Sequence, residues 1–262
     1  MVAAFEWQRV APDPGYAIAA IVAIAPVQFF GQVFLSEPSF VEHLRDVAFQ
    51  VIQGANDGDV ADFQGLRLYD RAADFRAVGE TLKSMVYVDR ANHNFFNSVW
   101  EAAEGDDCGC PGKVLSGKAA RTVAKGYIHA FLEAAARHDR TFLPYLTGRR
   151  HVGGARVVAD YQAPGSEFVE IDGFEELPPI PHDGATNALG GSVLAPQGGY
   201  VETELALASI DYTGDTWAAE LLWPKAPRHT LESRIPGAEA TAFAGLDQLS
   251  FRIGEIPAGD VN

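Results

Sequence analysis

Asp46-Val-Ala-Phe-Gln-Val-Ile-Gln53-Gly-Ala-Asn-Asp57-Gly-Asp-Val60 is the stretch on which the fold turns. Val47, Phe49, Val51 and Ile52 form a short apolar run that breaks into a turn-forming Gly54-Ala-Asn-Asp57-Gly. A run of this length, closed by Gly, Asn and Asp, reads as a strand delivering its end into a loop. Residues 84–88 are a second such run, ending in Asp89-Arg-Ala-Asn-His93. Between them Phe63, Leu66, Tyr69, Ala72 and Phe75 recur at helical spacing. Strand, helix, strand at this separation predicts a βαβ unit with parallel strands and a right-handed crossover.

Working outward, residues 17–25 (Ala17-Ile-Ala-Ala-Ile-Val-Ala-Ile-Ala25) have no polar position and predict a further strand, covered on both faces. Residues 1–10 read as a short helix ended by Ala11-Pro-Asp-Pro-Gly15. Residues 116–137 give the clearest helix. Ala119/Ala120, Val123/Ala124, Tyr127/Ile128, Phe131/Leu132 and Ala135 form its stripe, and Ser116 stands at the N-cap position. The pattern changes near Gly148. Residues 155–161, 200–208, 217–223 and 248–256 alternate apolar with polar, separated by turns such as Leu177-Pro-Pro-Ile-Pro181. In the last, Leu249, Phe251 and Ile253 are expected to share a buried face. The reading is an α/β domain over residues 1–147 and an antiparallel, jelly-roll-like β-sandwich over 148–262.

Composition narrows the function. The 262 residues carry a net charge of −15, which repels phosphate backbones and argues against nucleic-acid binding. The longest apolar run, residues 16–30, is interrupted by Pro26 and falls short of the roughly 20 residues a bilayer span needs. Residues 1–10 lack the pattern of a signal peptide. Cys108-Gly-Cys110 has no further Cys or His beside it to complete a metal site, and a bridge across one residue is strained.

Two loops carry the chemistry. Asp57 follows the first strand of the βαβ unit and His93 follows the second, 36 positions later. Parallel strands bring their carboxyl ends to one edge, where functional groups of open α/β sheets gather. There an acid orients a histidine, and the histidine takes up and returns a proton. Asp59 is the alternative acid, and Asp57 with Asp59 the alternative start of a Ca²⁺ shell, which lacks further ligands nearby. Phe29, Phe95 and Phe96, with Phe30 and Trp100, lie near strand ends and offer either core packing or an apolar wall for substrate. His129 lies on the amphipathic helix and reads as structural.

Gly54-Ala-Asn-Asp57-Gly-Asp-Val60 followed by Ala91-Asn-His93-Asn-Phe-Phe-Asn97 resembles the acid and histidine segments of bacterial α/β-hydrolase-fold serine hydrolases. The likeness is to the branch of chlorophyllases, cutinase-like esterases and polyester hydrolases, and it extends over about residues 1–138. It implies a triad in the order Ser, Asp, His, with Asp57 the acid and His93 the base. It implies carboxylic-ester hydrolysis on a small or polymeric ester, without metal or organic cofactor. No Gly-x-Ser-x-Gly occurs in the sequence, and Ser36, Ser84 and Ser98 lack its context. In that family the nucleophile precedes the helix that residues 1–10 resemble. The chain is therefore expected to be the C-terminal portion of a longer hydrolase, with serine, oxyanion hole and half the sheet ahead of Met1. The strand at 17–25 would then expose an apolar edge and promote self-association. The alternative is a catalytically inactive chain whose β-sandwich binds a polymer or glycan.

Overall fold

Strand β2 (Ala48–Gly54) is buried at every position. Its alternation explains why. Ala48 and Ile52 face one apolar cluster, while Phe49 and Val51 face another. A strand covered on both sides needs no wet face, and its two glutamines are buried, with Gln50 Nε2 donating to Tyr127 O and Gln53 Nε2 to Asp57 Oδ2. β1 (Ala20–Ile24) and β3 (Lys83–Val88) flank β2, both parallel to it. Helix α1 (Gln64–Arg71) connects β2 to β3, as the βαβ reading predicts, and buries Leu68 and Tyr69 against Phe49, Val51 and Met85.

The computed structural model describes residues 18–27, 47–60, 64–72, 81–100, 113–173, 186–194, 199–206, 213–222, 230–246 and 249–251. The expected helix at 1–10, Phe29, Phe30 and the Cys108/Cys110 pair lie outside them.

Helix α2 (Gly117–Arg137) covers the second face of the sheet. Ser116 Oγ accepts the Ala119 N–H at 3.3 Å, so the N-cap stands where the sequence puts it. Ala120, Val123, Ala124, Tyr127, Ala130, Phe131 and Ala134 are buried, whereas Leu132 turns outward at 42% exposed. His138 takes a left-handed conformation that ends the helix. A short helix, α3 (Leu143–Leu146), follows and buries Leu146 in the same cluster.

The sheet's fourth strand corrects the sequence reading. Residues 155–161 were expected to open a β-sandwich, but β4 (Val157–Gln162) pairs antiparallel with β3, from Lys83↔Gln162 to Val88↔Val157. The order is β1-β2-β3-β4, a mixed sheet in an α/β unit. The chain divides into Met1–Ser166 and Glu167–Asn262, later than the expected change at 147/148. The physical reason is that alternation reports one wet face and one dry face, which an edge strand of a mixed sheet has as readily as a sandwich strand. Val158 on β4 is 60% exposed, in keeping with that edge position.

The second unit contains β5 (Val193–Leu194) paired with β8 (Glu232–Ser233), and the hairpin β6 (Gly199–Ala206)–β7 (Thr213–Leu222). Each is an antiparallel pair, and among the described residues they form two separate two-stranded sheets. Leu249 and Phe251, expected on a buried face, are 71% and 76% exposed and lie outside any strand. Alternation alone buries nothing, because burial needs a neighbouring element to cover the apolar face. Asn187 braces this unit. Its Oδ1 accepts the N–H groups of Leu189 and Gly191, and its Nδ2 donates to Ser233 Oγ and Arg234 O.

Candidate active site

β2 and β3 run parallel, so Gly54 and Val88 end side by side. Two backbone bonds then hold the following loops together. The Ala55 N–H donates to Val88 O at 2.9 Å and the Asn56 N–H to Ala91 O at 2.8 Å. Asp57 and His93 emerge from this joint.

The Asp57 carboxylate is 1% exposed and accepts from both sides. Oδ1 takes the backbone N–H groups of Asp59 at 3.0 Å and Val60 at 2.7 Å, a local turn that orients the carboxylate. Oδ2 lies 3.0 Å from Gln53 Nε2 and 3.1 Å from His93 Nδ1. The imidazole itself is 20% exposed. Asp59, the alternative acid, is exposed and gives this cluster only its backbone N–H. The structure thus brings Asp57, not Asp59, to His93.

The histidine loop is anchored beyond His93. Asn92 Oδ1 accepts the Phe95 N–H at 3.0 Å, and Arg121 from α2 donates to Phe95 O at 3.1 Å and Asn97 O at 3.4 Å. Phe95 and Phe96 pack partly buried against the apolar cluster beneath α2. On the same loop Val99, 77% exposed, and Trp100, 53% exposed, face solvent. Asn97 Oδ1 accepts the N–H groups of both, at 2.7 and 3.3 Å. His129 stacks edge-on against Phe142 with ring centroids 4.9 Å apart.

Gln53 and Asn92 were not singled out in the sequence. The available signal was a pair of glutamines, Gln50 and Gln53, in a strand whose other side chains are apolar. Among the described residues no three His, Cys, Asp or Glu side chains converge on a position that could hold a metal ion. No family model, curated protein or solved structure matches this chain.

Tyr87, on the same strand as the joint, has its phenol pushed above 10.0 by burial, then by the Asp89 and Asp57 carboxylates. Burial also raises Tyr127, against a lowering hydrogen bond from the Val152 backbone. A raised tyrosine keeps its proton in the folded state after the unfolded chain has lost it. That contribution to stability is complete below 10.0 and drains away as pH rises through the folded values. The melting temperature is therefore expected to fall as pH rises above 10.0, and Tyr87→Phe to lessen the drop. An unchanged drop in Tyr87→Phe would remove Tyr87 from this account.

Proposed function

We propose that Asp57 and His93 are the acid and base of a serine-hydrolase triad that cleaves carboxylic esters. The observation that carries this reading is the 3.1 Å contact between Asp57 Oδ2 and His93 Nδ1 at adjacent strand ends. An ionised carboxylate on Nδ1 makes that nitrogen the N–H donor. Nε2 is then the atom that takes a hydroxyl proton. The nucleophile is a serine supplied from ahead of Met1, in keeping with the hydrolase resemblance. Ser84 is fully buried within β3, a position unsuited to attack on a substrate. In the reaction, serine Oγ bonds to the ester carbonyl as its proton passes to His93. The tetrahedral intermediate expels the alcohol, which takes that proton. Water then cleaves the acyl-enzyme by the same route. In this reading the four-strand sheet belongs to a larger hydrolase sheet, and the second unit to an appended β-sandwich.

The test is a protein extended through the coding sequence upstream of Met1. It is expected to hydrolyse p-nitrophenyl esters, with activity lost in His93→Ala. Equal turnover by His93→Ala would sink the triad, and His93-dependent turnover by the 262-residue chain would place the nucleophile within it.

Val99 and Trp100 support an ester with a sizeable apolar group. Trp100→Ala in the extended enzyme is expected to raise KM for p-nitrophenyl octanoate roughly 5- to 30-fold, equivalent to about 1–2 kcal/mol of lost apolar contact. Its kcat and its KM for the acetate should stay the same. A uniform fall in kcat on both esters would show that Trp100 supports the loop instead.

β1 supports a second expectation. Its residues are entirely apolar yet half-exposed, with Ile24 at 41%, and its one described strand neighbour is β2. We propose that this edge self-associates. Light scattering on the 262-residue chain should show species above 28.2 kDa, shifted toward monomer by Ile24→Lys. A monomer at all concentrations would end this proposal.

A further inference from the structure

Gln53 is an expensive residue at its position. It is fully buried in β2, and among the described residues its Oε1 has no hydrogen-bond partner. Methionine would fill the same volume without that penalty. What the amide supplies is Nε2, which reaches Asp57 Oδ2 at 3.0 Å and Val60 O at 3.3 Å. Both partners are acceptors, so the NH₂ end must point toward them. The surroundings are shaped to this amide. A Cβ on Gly65, in the first turn of α1, would stand 2.8 Å from Gln53 Oε1 and 2.8 Å from Val51 Cγ1. Glycine at 65 leaves room for the glutamine head.

We propose that Gln53 is a positioning residue that holds Asp57 Oδ2 as a hydrogen-bond acceptor and thereby sets the tautomer of His93. The inference rests on the triad reading for its catalytic meaning. Gln53 Nε2 can only donate, so its bond orients Oδ2 as an acceptor. An accepting Oδ2 obliges His93 Nδ1 to be the donor, which leaves the lone pair on Nε2. Without the amide, Oδ2 loses the donor that fixes its direction, and the carboxylate is freer to turn away from Nδ1. A weaker Oδ2–Nδ1 bond lets more of the neutral ring carry its single hydrogen on Nε2, the wrong atom for a general base. Asp57 and Gln53 thus act in series on the ring, and Gly65 acts on Gln53.

The experiment uses the 262-residue chain with ¹⁵N-labelled histidine, reading the neutral His93 tautomer from its ring-nitrogen shifts at slightly alkaline pH. His93 is assigned by its loss in His93→Gln. The wild type should show Nδ1–H. Gln53→Met should move the tautomer ratio toward Nε2–H by roughly tenfold, the scale of a hydrogen bond to a charged group. Its melt should stay cooperative. Gly65→Ala, which replaces neither partner, should move the ratio the same way by less. If Gln53→Met does not fold, Gly65→Ala decides. Retention of the wild-type ratio in the folded variants overturns the proposal. Asp57→Asn separates the two readings. A ratio that responds to Asp57→Asn but not to Gln53→Met overturns only the role of Gln53. A ratio unmoved by Asp57→Asn overturns the Asp57–His93 pair as well. Absence of ester turnover in the extended protein would sink the hydrolase reading and leave this measurement standing.

Discussion

Asp57→Asn in the upstream-extended enzyme is expected to cut kcat for ester hydrolysis about ten-thousandfold, the scale known for loss of a triad aspartate. The reason is directional. The carboxylate is acceptor-only and takes four donors: the N–H groups of Asp59 and Val60, Gln53 Nε2 and His93 Nδ1. An asparagine has one acceptor oxygen. If that oxygen stays with the two backbone N–H groups, the new NH₂ faces Gln53 and His93. His93 Nδ1 must then accept, the ring hydrogen moves to Nε2, and the serine proton has no base to receive it. If the side chain flips, the NH₂ meets two backbone donors instead. Each arrangement leaves buried donors unsatisfied, so a stability loss of about 1–3 kcal/mol should accompany the kinetic one. KM should change little, because the carboxylate is buried behind the imidazole. Steady-state kinetics and a thermal melt check both parts. A fall in kcat of less than tenfold, with the protein folded, would remove Asp57 from the reaction.

Gly54→Ala is expected to destabilise the α/β unit by about 1–3 kcal/mol and to separate the two loops. A Cβ at Gly54 would stand 2.4 Å from the Ala91 carbonyl oxygen, closer than any side-chain carbon approaches backbone. That carbonyl accepts the Asn56 N–H, so moving it strains the bond that joins the acid loop to the histidine loop. The damage lies in the last β2–β3 pair, Gly54 with Val88, three residues before Asp57, so it should reach the 3.1 Å contact. Denaturant unfolding measures the first effect and the His93 ring-nitrogen shifts the second. Wild-type stability in Gly54→Ala would show that the two strand ends move apart at little cost.

Much of the α/β unit was legible in the residues, because the decisive signals are local. β2 and β3 announce themselves as apolar runs ended by turn residues, α2 by its stripe and Ser116 cap, and α1 by the spacing of Leu66, Tyr69 and Ala72. Once β2 and β3 are taken as parallel neighbours, the meeting of Asp57 and His93 follows from topology, since both loops leave the same edge.

Other features depend on partners far along the chain, and no local pattern carries them. Residues 157–162 alternate in a way that suits either unit, and only the pairing of Val88 with Val157 assigns them to the first sheet. Leu249 and Phe251 alternate like a core face and are exposed, because alternation specifies two different faces and not what covers them. Phe95 and Phe96 pack inward while Val99 and Trp100 face solvent, an outcome set by Arg121 and Asn97 gripping the loop backbone. Gln53 reads in sequence as one of two glutamines, with Gln50, in a strand whose other side chains are apolar. Its role exists only in three dimensions, where one carboxylate oxygen receives the amide and the imidazole together. Side-chain periodicity fixes which faces of an element differ, but the hydrogen-bond geometry of a site is made by groups that the folded chain alone brings within 3 Å of one another.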